Sequence, residues 1–488
     1  MRRRPLFAVV ARLRVPAVAG AVAALLIGPG VASGSSLVVV SKTDLYASCP
    51  TPALASRNYP GAEVEPNVAV NPTNSSNVVG VWQQDRWSGG GSRGIVAGVS
   101  FDAGATFDEV PLPFSRCAPG GLPFDRASDP WVSFGPDGTV YAIGLSLSFT
   151  ASGIASAVAV STSGDGGRSW QSPTIVQTDV SPEILNDKES ITADPATPGT
   201  AYAVWDRSDS LDAVTFTGPA MFSRTTDGGR TWSTPALIVQ TGVNDQTIGN
   251  VIVVGRTAGS PLYDFFNLII ANGPHAGNNV AFVKSTDGGA SWSAPKIVSP
   301  MLSVGFTDPR TNTPVRTADV LAEPAIDAAT GDLYVVWQDS RFNGGQYDEV
   351  AISTSADGGT TFSPPARVNP PTGRPALVPA VAVGSSGAVG VTYYEVGANL
   401  GSGLPTRYIL QKSPRGGAQF GPDLPVTGEP FDLLVAPFAG GLFLGDYEGL
   451  APAGDGFRPF FVKGNSGDFG NPTDVVTGVF GGENPAGT

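Results

Sequence analysis

The sequence predicts an all-β protein built from repeated strand units. Short runs rich in Val, Ile, Ala and Tyr alternate with turns made of Gly, Pro, Asp and Asn, a pattern typical of β-strands and their connections. No long stretch places apolar residues at helical spacing. The chain has 63 Gly and 43 Pro in 488 residues, and one octet recurs at a nearly constant interval. Such a period indicates a repeat architecture, so we expect one large domain.

The clearest copy of the octet is S-T-D-G-G-A-S-W at 285–292. Asp287 can accept hydrogen bonds from the backbone of its own turn, and Gly288 and Gly289 tolerate positive φ angles. Strand-like runs flank the octet, so it predicts the turn of a β-hairpin. The equivalent residues of the other copies are Asp102, Asp165, Asp227, Asp357 and, in a degenerate sixth copy, Arg415.

The octets resemble the Asp-box (BNR) repeats of sialidase-like β-propellers, whose pattern is S-x-D-x-G-x-T-W. The resemblance covers nearly the whole chain after residue 34. It implies a single propeller of four-stranded blades, in which the boxes lie on turns between the two outer strands and on the face opposite the active site. We therefore expect the boxes to be structural.

Seven first strands can be recognised by their similar openings, which begin at Glu65, Asp129, Glu189, Asn250, Glu323, Val378 and Asp446. The seventh unit is short of one strand, and the run at 37–40 could complete it. We predict a seven-bladed β-propeller closed by its own N-terminal strand, which leaves no free sheet edge. Six blades are the alternative, because sialidase catalytic domains have six and the last unit is irregular.

Residues 1–34 are predicted to be a signal peptide, and residues 35–488 to be the propeller domain. Five arginines precede an apolar segment at 17–27, and small residues follow at 31–34. A retained membrane anchor is the alternative. We expect a secreted, extracellular protein without a membrane partner after cleavage, in which Cys49 and Cys117 form a disulfide. This bond would fasten the closing strand to the first blade.

The amino-acid composition limits the classes of ligand and the kinds of catalytic site that can be expected. Without the five leader arginines, 24 basic and 42 acidic residues remain, a net charge of −18. This charge disfavours nucleic acid and anionic membranes. The single histidine, His275, lies in a glycine-rich loop, which argues against a Ser-His-Asp triad. Acidic turns such as 327–332 offer oxygen ligands for Ca²⁺ but are usually solvated. We expect no metal and no cofactor, and a monomer that binds a glycan or glycoprotein.

Three units place opposite charges at the rim where the first strand begins and the second strand ends. The pairs are Glu65 with Arg86, Glu189 with Arg207, and Glu323 with Arg341. Each glutamate can pair with the arginine of its own unit. Alternatively, Arg86, Arg207 and Arg341 point into the channel and, with Glu323, bind substrate, because an arginine donates two parallel hydrogen bonds to a carboxylate.

A sialidase-like protein is expected to use a tyrosine nucleophile with a glutamate, and an aspartic acid as acid/base. The resemblance implies Tyr447 and Glu448 for the first pair, with Tyr394 and Glu395 as the second candidate pair, and Asp129 or Asp187 for the acid. A buried core tyrosine is the other interpretation of Tyr447. The expected function is a secreted sialidase-like glycoside hydrolase acting on extracellular glycans at the channel mouth. The Arg-Ile-Pro motif of sialidases is absent, which favours the alternative, a non-catalytic propeller that binds glycans or proteins.

Overall fold

The computed structural model describes residues 36–50, 56–150, 153–401, 403–414 and 416–482. The all-β prediction is confirmed, since the helical segments in these ranges are two 3₁₀ turns, Arg341–Asn343 and Leu433–Val435. None of the described helical segments is long and apolar enough to cross a membrane. The predicted signal peptide lies outside the described residues.

The strands are numbered in chain order and pair antiparallel, except for β20 and β30, which pair parallel. After β1 (Val38–Val39), sheet 1 contains β2 (Glu63–Val70), β3 (Val78–Arg86), β4 (Ser92–Ser100) and β5 (Asp108–Leu112). Sheet 2 contains β6 (Arg126–Phe134), β7 (Val140–Thr150), β8 (Gly153–Ser163) and β9 (Thr174–Ser181). Sheet 3 contains β10 (Ile184–Ala193), β11 (Ala201–Ser210), β12 (Phe216–Thr217), β13 (Ala220–Thr225) and β14 (Ala236–Val239). Sheet 4 contains β15 (Gln246–Val254), β16 (Leu262–Ile270), β17 (Gly277–Ser285) and β18 (Lys296–Pro300).

The second half continues in the same way. A small sheet combines β19 (Phe306–Thr307) and β20 (Pro314–Arg316) with the later β30 (Leu442–Phe443). Sheet 5 contains β21 (Ala322–Ile326), β22 (Leu333–Asp339), β23 (Glu349–Ser355) and β24 (Ala366–Arg367). Sheet 6 contains β25 (Ala376–Val383), β26 (Val389–Val396), β27 (Pro405–Ser413), β28 (Leu424–Pro425) and β29 (Phe431–Asp432). Sheet 7 contains β31 (Gly449–Ala453), β32 (Gly456–Gly464) and β33 (Thr473–Thr477).

The first strands of the sheets form a closed ring. Each one contacts the first strand of the next sheet, in the order β2, β6, β10, β15, β21, β25 and β31, and β31 contacts β2 again. One residue pair, Ser92 with Ala127, also joins sheets 1 and 2 by hydrogen bonding. Apolar side chains fill the space between neighbouring sheets, including the fully buried Trp82, Trp205 and Trp337. Side chains from the starts of different first strands meet at the centre of the ring.

The ends of the chain close the ring together. Val38 and Val39 of β1 pair antiparallel with Thr477 and Val476 of β33, so the N-terminal strand is the outer strand of sheet 7. This pairing is the one that the sequence predicts. The expected disulfide between Cys49 and Cys117 is also present, with the two Cα atoms 5.4 Å apart. It fastens the segment after β1 to the loop after β5.

Loss of this disulfide should destabilise the ring. The bond closes a loop between residues 68 apart in sequence, and it limits the freedom of the unfolded chain. A Cys49→Ser, Cys117→Ser double variant should lose about 2–4 kcal/mol of unfolding free energy, measured by urea denaturation. The reduced wild-type protein is the control and should match the variant. A loss below about 0.5 kcal/mol in both would show that β1 holds sheet 7 without the bond.

A glycine at the junction of sheets 1 and 7 provides a second test of the ring. A Cβ atom on Gly80 of β3 would lie 2.0 Å from the Phe460 ring of β32. β3 and β32 would have to move apart to accommodate the extra methyl group. Gly80→Ala should therefore lower the free energy of unfolding by about 1–3 kcal/mol through overpacking. Gly164→Ala is the matched control, because nothing lies within 4 Å of that position. Equal melting temperatures for the two variants would contradict this junction.

The recurring octets form one type of turn between the third and fourth strands. In the copy at sheet 4, Ser285 Oγ donates to Asp287 Oδ1 at 2.8 Å. The N–H of Ser291 donates to the same oxygen at 2.9 Å, and its Oγ donates to Oδ2 at 2.5 Å. These bonds lower the pKa of Asp287 to about 2. The turns at Asp102, Asp165, Asp227 and Asp357 have the same contacts. Arg415, of the degenerate copy, lies outside the described residues.

Candidate functional site

Backbone bulges occur near the start of five of the first strands, and three of them carry a charged residue. The pairing register shifts within β2, β6, β10, β15 and β25. At each shift one residue has a positive φ angle: Glu65 (53°), Asp129 (50°), Lys188 (50°), Gly249 (72°) and Val378 (51°). A bulge re-aims the side chain that it carries. Four of these five residues are not glycine, so each costs on the order of 1–3 kcal/mol in backbone strain, which proteins retain mainly at functional sites.

Lys188 lies at the centre of the channel cluster, which we define as Glu65, Asp129, Lys188, Arg316 and Asp446. Its Nζ lies 2.7 Å from Asp129 Oδ1, 2.6 Å from Asp446 Oδ2 and 3.5 Å from Glu65 Oε1. The three carboxyl groups come from β2, β6 and the segment before β31. One ammonium group therefore connects distant parts of the ring.

Arg316 joins the channel cluster from the small sheet. The parallel pairing of β20 with β30 places it beside Phe443, and its guanidinium lies 4.5 Å from the centroid of that ring. Its Nε donates to Asp446 Oδ1 at 2.8 Å, and its Nη2 donates to the other carboxylate oxygen. The side chain of Arg316 is 35% exposed, compared with 9% for that of Lys188. Arg316 is thus the member of the cluster that solvent reaches most.

Arg86, one of the predicted substrate-binding residues, approaches the cluster indirectly. Its Nη1 donates to Gln83 Oε1 at 2.6 Å, and Gln83 Nε2 donates to Glu65. The Arg86 guanidinium also packs on the ring of Phe443, 4.8 Å from its centroid. The expected pairing of Glu65 with Arg86 therefore passes through Gln83.

The carboxyl groups of the channel cluster have pKa values that are shifted in opposite directions. Burial, together with the charge of Asp129, raises the pKa of Glu65 to about 8, and Lys188 only partly opposes the rise. Burial also disfavours ionisation of Asp129, but Lys188 and Ser128 outweigh it and lower the pKa of this carboxyl. The pKa of Asp446 is likewise lowered by Lys188 and Arg316, against the effect of burial. These shifts favour the protonated form of Glu65 and the ionised forms of Asp129 and Asp446.

Tyr447 lies next to the channel cluster, but it does not meet Glu448. Its buried hydroxyl donates to the backbone oxygen of Pro130 at 3.1 Å, and its ring packs on Trp131 with the centroids 5.1 Å apart. Burial raises the pKa of Tyr447 well above its usual value. The carboxyl group of Glu448 accepts instead from the Tyr394 hydroxyl at 2.8 Å and from the Val462 N–H at 3.0 Å.

The remaining predicted residues do not converge on one point. Arg207 pairs with Asp209 at 2.7 Å, and Arg341 pairs with Asp339 at 2.7 Å, each within its own sheet. These local pairs leave Arg86 as the one predicted arginine beside the cluster. Asp187 precedes the bulge residue Lys188, and burial raises its pKa. Its carboxyl accepts from the N–H of Lys188 at 3.0 Å.

Two small cavities adjoin the cluster. One has a volume of ≈ 20 Å³ and is lined by residues that include Lys188, Glu189, Asn250, Glu323 and Tyr447. Here burial raises the pKa of Glu323, another predicted substrate-binding residue, to about 8. The other is also ≈ 20 Å³ and is lined in part by Arg316, Val378, Tyr394 and Leu444. Each of these two cavities has room for about one water molecule.

Sequence reasoning missed Lys188 and Arg316 as site residues. It aligned Glu189 with Glu65, whereas the bulges align Lys188 with Glu65 and Asp129. The shared openings Glu65-Pro66 and Asp129-Pro130 mark the bulge residues of the first two units. In the third unit the alignment was one residue too late, at Glu189 instead of Lys188, so this equivalence was not recognised. Arg316 lies in the long loop after sheet 4, and only the pairing of β20 with β30 brings it to the cluster.

Comparisons with known proteins give distant structural similarities. No family model matches the chain, and no curated protein matches it. A protein of unknown function from Dyadobacter fermentans DSM 18053 is similar at 12% identity and a TM-score of 0.47, over 92% of this chain and 99% of that one. A Hadza microbial sialidase is similar at 18% identity and a TM-score of 0.42, over 69% of this chain and 64% of its own. An α-L-arabinanase from Penicillium chrysogenum is similar at 12% identity and a TM-score of 0.42, over 87% of this chain and 98% of its own.

Proposed function

We propose that this protein is a glycoside hydrolase that acts at the channel mouth through carboxyl groups of the channel cluster. The observation that carries the proposal is that Glu65 and Asp129 both contact one ammonium group, that of Lys188. Their oxygens lie 3.5 and 2.7 Å from Lys188 Nζ, and the pKa of the first carboxyl is raised whereas that of the second is lowered. Two carboxyl groups with opposite protonation are the requirement of glycosidic-bond hydrolysis.

The geometry favours a retaining reaction. Because both oxygens contact the same nitrogen, they lie no more than about 6 Å apart, which is near the separation in retaining enzymes and below that in inverting ones. In this proposal Asp129 is the nucleophile, and Glu65 protonates the leaving oxygen and later activates water. Arg316 lies nearest to solvent and would bind a polar or anionic group of the substrate.

Sialosides are the substrate class that the Asp-box turns suggest. In the tyrosine form of the mechanism, Tyr447 would be the nucleophile, with Asp129 or Asp187 as the acid. Two observations favour the carboxylate form over it. Glu448 bonds to Tyr394 rather than to Tyr447, and Arg207 and Arg341 bind acids of their own sheets.

The proposal extends to the blade count and the location of the protein. We take the seven sheets as the blades of a seven-bladed propeller with four principal strands each, because their first strands contact one another in a ring that returns to β2. We also propose that residues 1–34 direct export and are removed, leaving an extracellular monomer. The Cys49–Cys117 disulfide supports export, since such bonds persist in oxidising compartments.

A non-catalytic binding propeller is the second candidate. The observation that favours it is the small size of the two cavities beside the cluster, ≈ 20 Å³ each, which cannot hold a sugar ring. In this case the channel cluster would only stabilise the fold, and ligands would contact only the exposed rim around Arg316.

Hydrolysis of a panel of fluorogenic glycosides, including a sialoside, tests the proposal. We expect turnover of at least one substrate by the protein lacking residues 1–34, with retention of anomeric configuration in the first product, observed by proton NMR. Binding of oligosaccharides without turnover of any panel member would support the binding propeller instead. Turnover with inversion would contradict the assigned roles of Glu65 and Asp129.

A further inference from the structure

The side-chain amide of Gln83 lies between a cation and a carboxyl group. Gln83 is a fully buried residue of β3. Its Oε1 accepts from Arg86 Nη1 at 2.6 Å, and its Nε2 donates to Glu65 Oε2. A guanidinium group has five N–H donors and no acceptor. Only the oxygen of the amide can therefore face Arg86, and this leaves the NH₂ group facing Glu65.

Arg86 holds this orientation of the amide. Arg86 is 3% exposed, and its guanidinium packs on the ring of Phe443, 4.8 Å from the centroid. An arginine stays charged at every pH at which proteins fold, so it always remains a donor to Gln83. The NH₂ group of Gln83 is consequently directed at Glu65 whether the carboxyl of Glu65 is protonated or ionised.

The fixed amide decides which oxygen of Glu65 carries a proton. In a protonated carboxyl group the hydroxyl donates, and the carbonyl oxygen is the better acceptor. Oε2 accepts from Gln83, so it is the carbonyl oxygen, and the proton belongs to Oε1. Oε1 lies 3.5 Å from Lys188 Nζ and 3.4 Å from the backbone nitrogen of Asp446. Both distances exceed the usual value of about 3 Å, so these contacts leave Oε1 able to carry a proton.

We propose that Gln83 is a positioning residue of the channel cluster, which keeps Glu65 Oε2 as an acceptor and places the acidic proton on Oε1. This inference rests on the proposed function, in which Glu65 is the acid and Asp129 the nucleophile. Oε1 is the oxygen that contacts Lys188, to which Asp129 Oδ1 also bonds at 2.7 Å. The acid and the nucleophile act on the same glycosidic bond, so the proton is needed on this oxygen.

Infrared spectroscopy tests the position of the proton without any substrate. The protein lacking residues 1–34 is measured near pH 6, below the pKa of about 8 of Glu65, and the carbonyl band of Glu65 is identified by its loss in Glu65→Gln. We expect this band at higher wavenumber in Gln83→Met, because the carbonyl oxygen loses its donor. Gln84→Met is the matched control, since Gln84 is the next residue of β3 and donates to Glu63 at 2.5 Å. It should leave the Glu65 band in place.

Arg86→Gln keeps the infrared test decisive if Gln83→Met does not fold. This change removes the charge that orients the amide, so the amide of Gln83 can point either way and a second Glu65 band should appear. An unchanged Glu65 band in Gln83→Met, or a single unchanged band in Arg86→Gln, would overturn the proposal. A wild-type spectrum without any band that Glu65→Gln removes would also overturn it.

Steady-state kinetics provide a second test. Gln83→Met should lower kcat by about tenfold or more and leave KM near the wild-type value, because the buried amide acts through Glu65. The alkaline decline of kcat/KM should move to higher pH, since an N–H donor favours the ionised carboxyl and its loss raises the pKa of Glu65. The other ionisable groups around Glu65 stay in place in this variant, namely Arg86, Asp129, Lys188, Arg316, Asp446, Tyr447 and Glu448.

The two tests separate this proposal from the proposed function. An alkaline decline that does not move in Gln83→Met would overturn the role of Gln83, because a merely structural residue would change stability and leave the decline where it is. If the wild type turns over no glycoside, the proposed function fails, whereas the infrared comparison still decides which oxygen of Glu65 carries the proton.

Discussion

Replacing Lys188 with methionine should destabilise the protein by about 3–5 kcal/mol, because it removes one partner from a buried set of ion pairs. Methionine retains the length of the side chain but leaves Asp129 without a cation and Asp446 with Arg316 alone. The loss should persist in 1 M NaCl, since buried charges are screened much less than exposed ones. Urea denaturation in low and high salt measures both effects.

Lys284→Met is the matched control for this prediction. Lys284 donates to the backbone oxygen of Gly358 at 3.2 Å and lies over the ring of Tyr263. Its replacement should cost no more than about 1 kcal/mol. If Lys188→Met also lowers the free energy of unfolding by less than this amount, the channel cluster does not hold the first strands together. Lys188 then does not determine the ionisation of the carboxyl groups around it.

Asp129→Asn should lower kcat/KM by about 10²–10⁴-fold or more, because it removes the ionised carboxyl of the proposed pair. The amide has the same shape and can still accept from Lys188, so the fold should remain. Tyr447→Phe should change kcat/KM by less than about tenfold, because the buried Tyr447 hydroxyl donates to the backbone oxygen of Pro130 rather than to a carboxylate that could activate it. Steady-state assays on the best panel substrate compare the two variants.

Glu63→Gln serves as the control for both variants, since Glu63 lies on the same strand as Glu65 and is hydrogen-bonded to Gln84. It should retain wild-type kcat/KM. A large loss in Tyr447→Phe with a small loss in Asp129→Asn would restore the tyrosine mechanism. A large loss in Asp187→Asn would move the acid role to the neighbouring carboxyl.

The sequence allowed the fold class, the repeat and the closing strand to be predicted for physical reasons. Each octet is a local turn whose hydrogen bonds depend on residues within the octet, so its pattern is visible without any tertiary information. The strand at Val38–Val39 and the Cys49–Cys117 bond followed from counting strands and cysteines. The arrangement of the sheets around the channel depends on contacts between distant strands, which the local pattern does not specify.

The site was predicted less well because it is made by bulges and by a loop pairing. Asp129 and Tyr447 were chosen from the sequence, and the structure places both at or beside the channel cluster. Lys188 was not chosen, because only a positive φ angle, unusual for a lysine, turns it towards Asp129 and Asp446. Arg207 and Arg341 were assigned to the channel, but an aspartate two residues away in sequence binds each of them first.

The pH dependence of kcat/KM is the most direct test of the proposed carboxyl pair. The pKa of Glu65 is raised to about 8 by burial, and that of Asp129 is lowered. The protonation state proposed for catalysis, with Glu65 protonated and Asp129 ionised, therefore exists at pH values between these two pKa values. We predict that wild-type kcat/KM is constant from weakly acidic to neutral pH and falls above about pH 8. Glu65→Gln should have a much lower kcat/KM without this alkaline decline. An unchanged alkaline decline in Glu65→Gln, or no turnover by the wild type at any pH, would contradict the account.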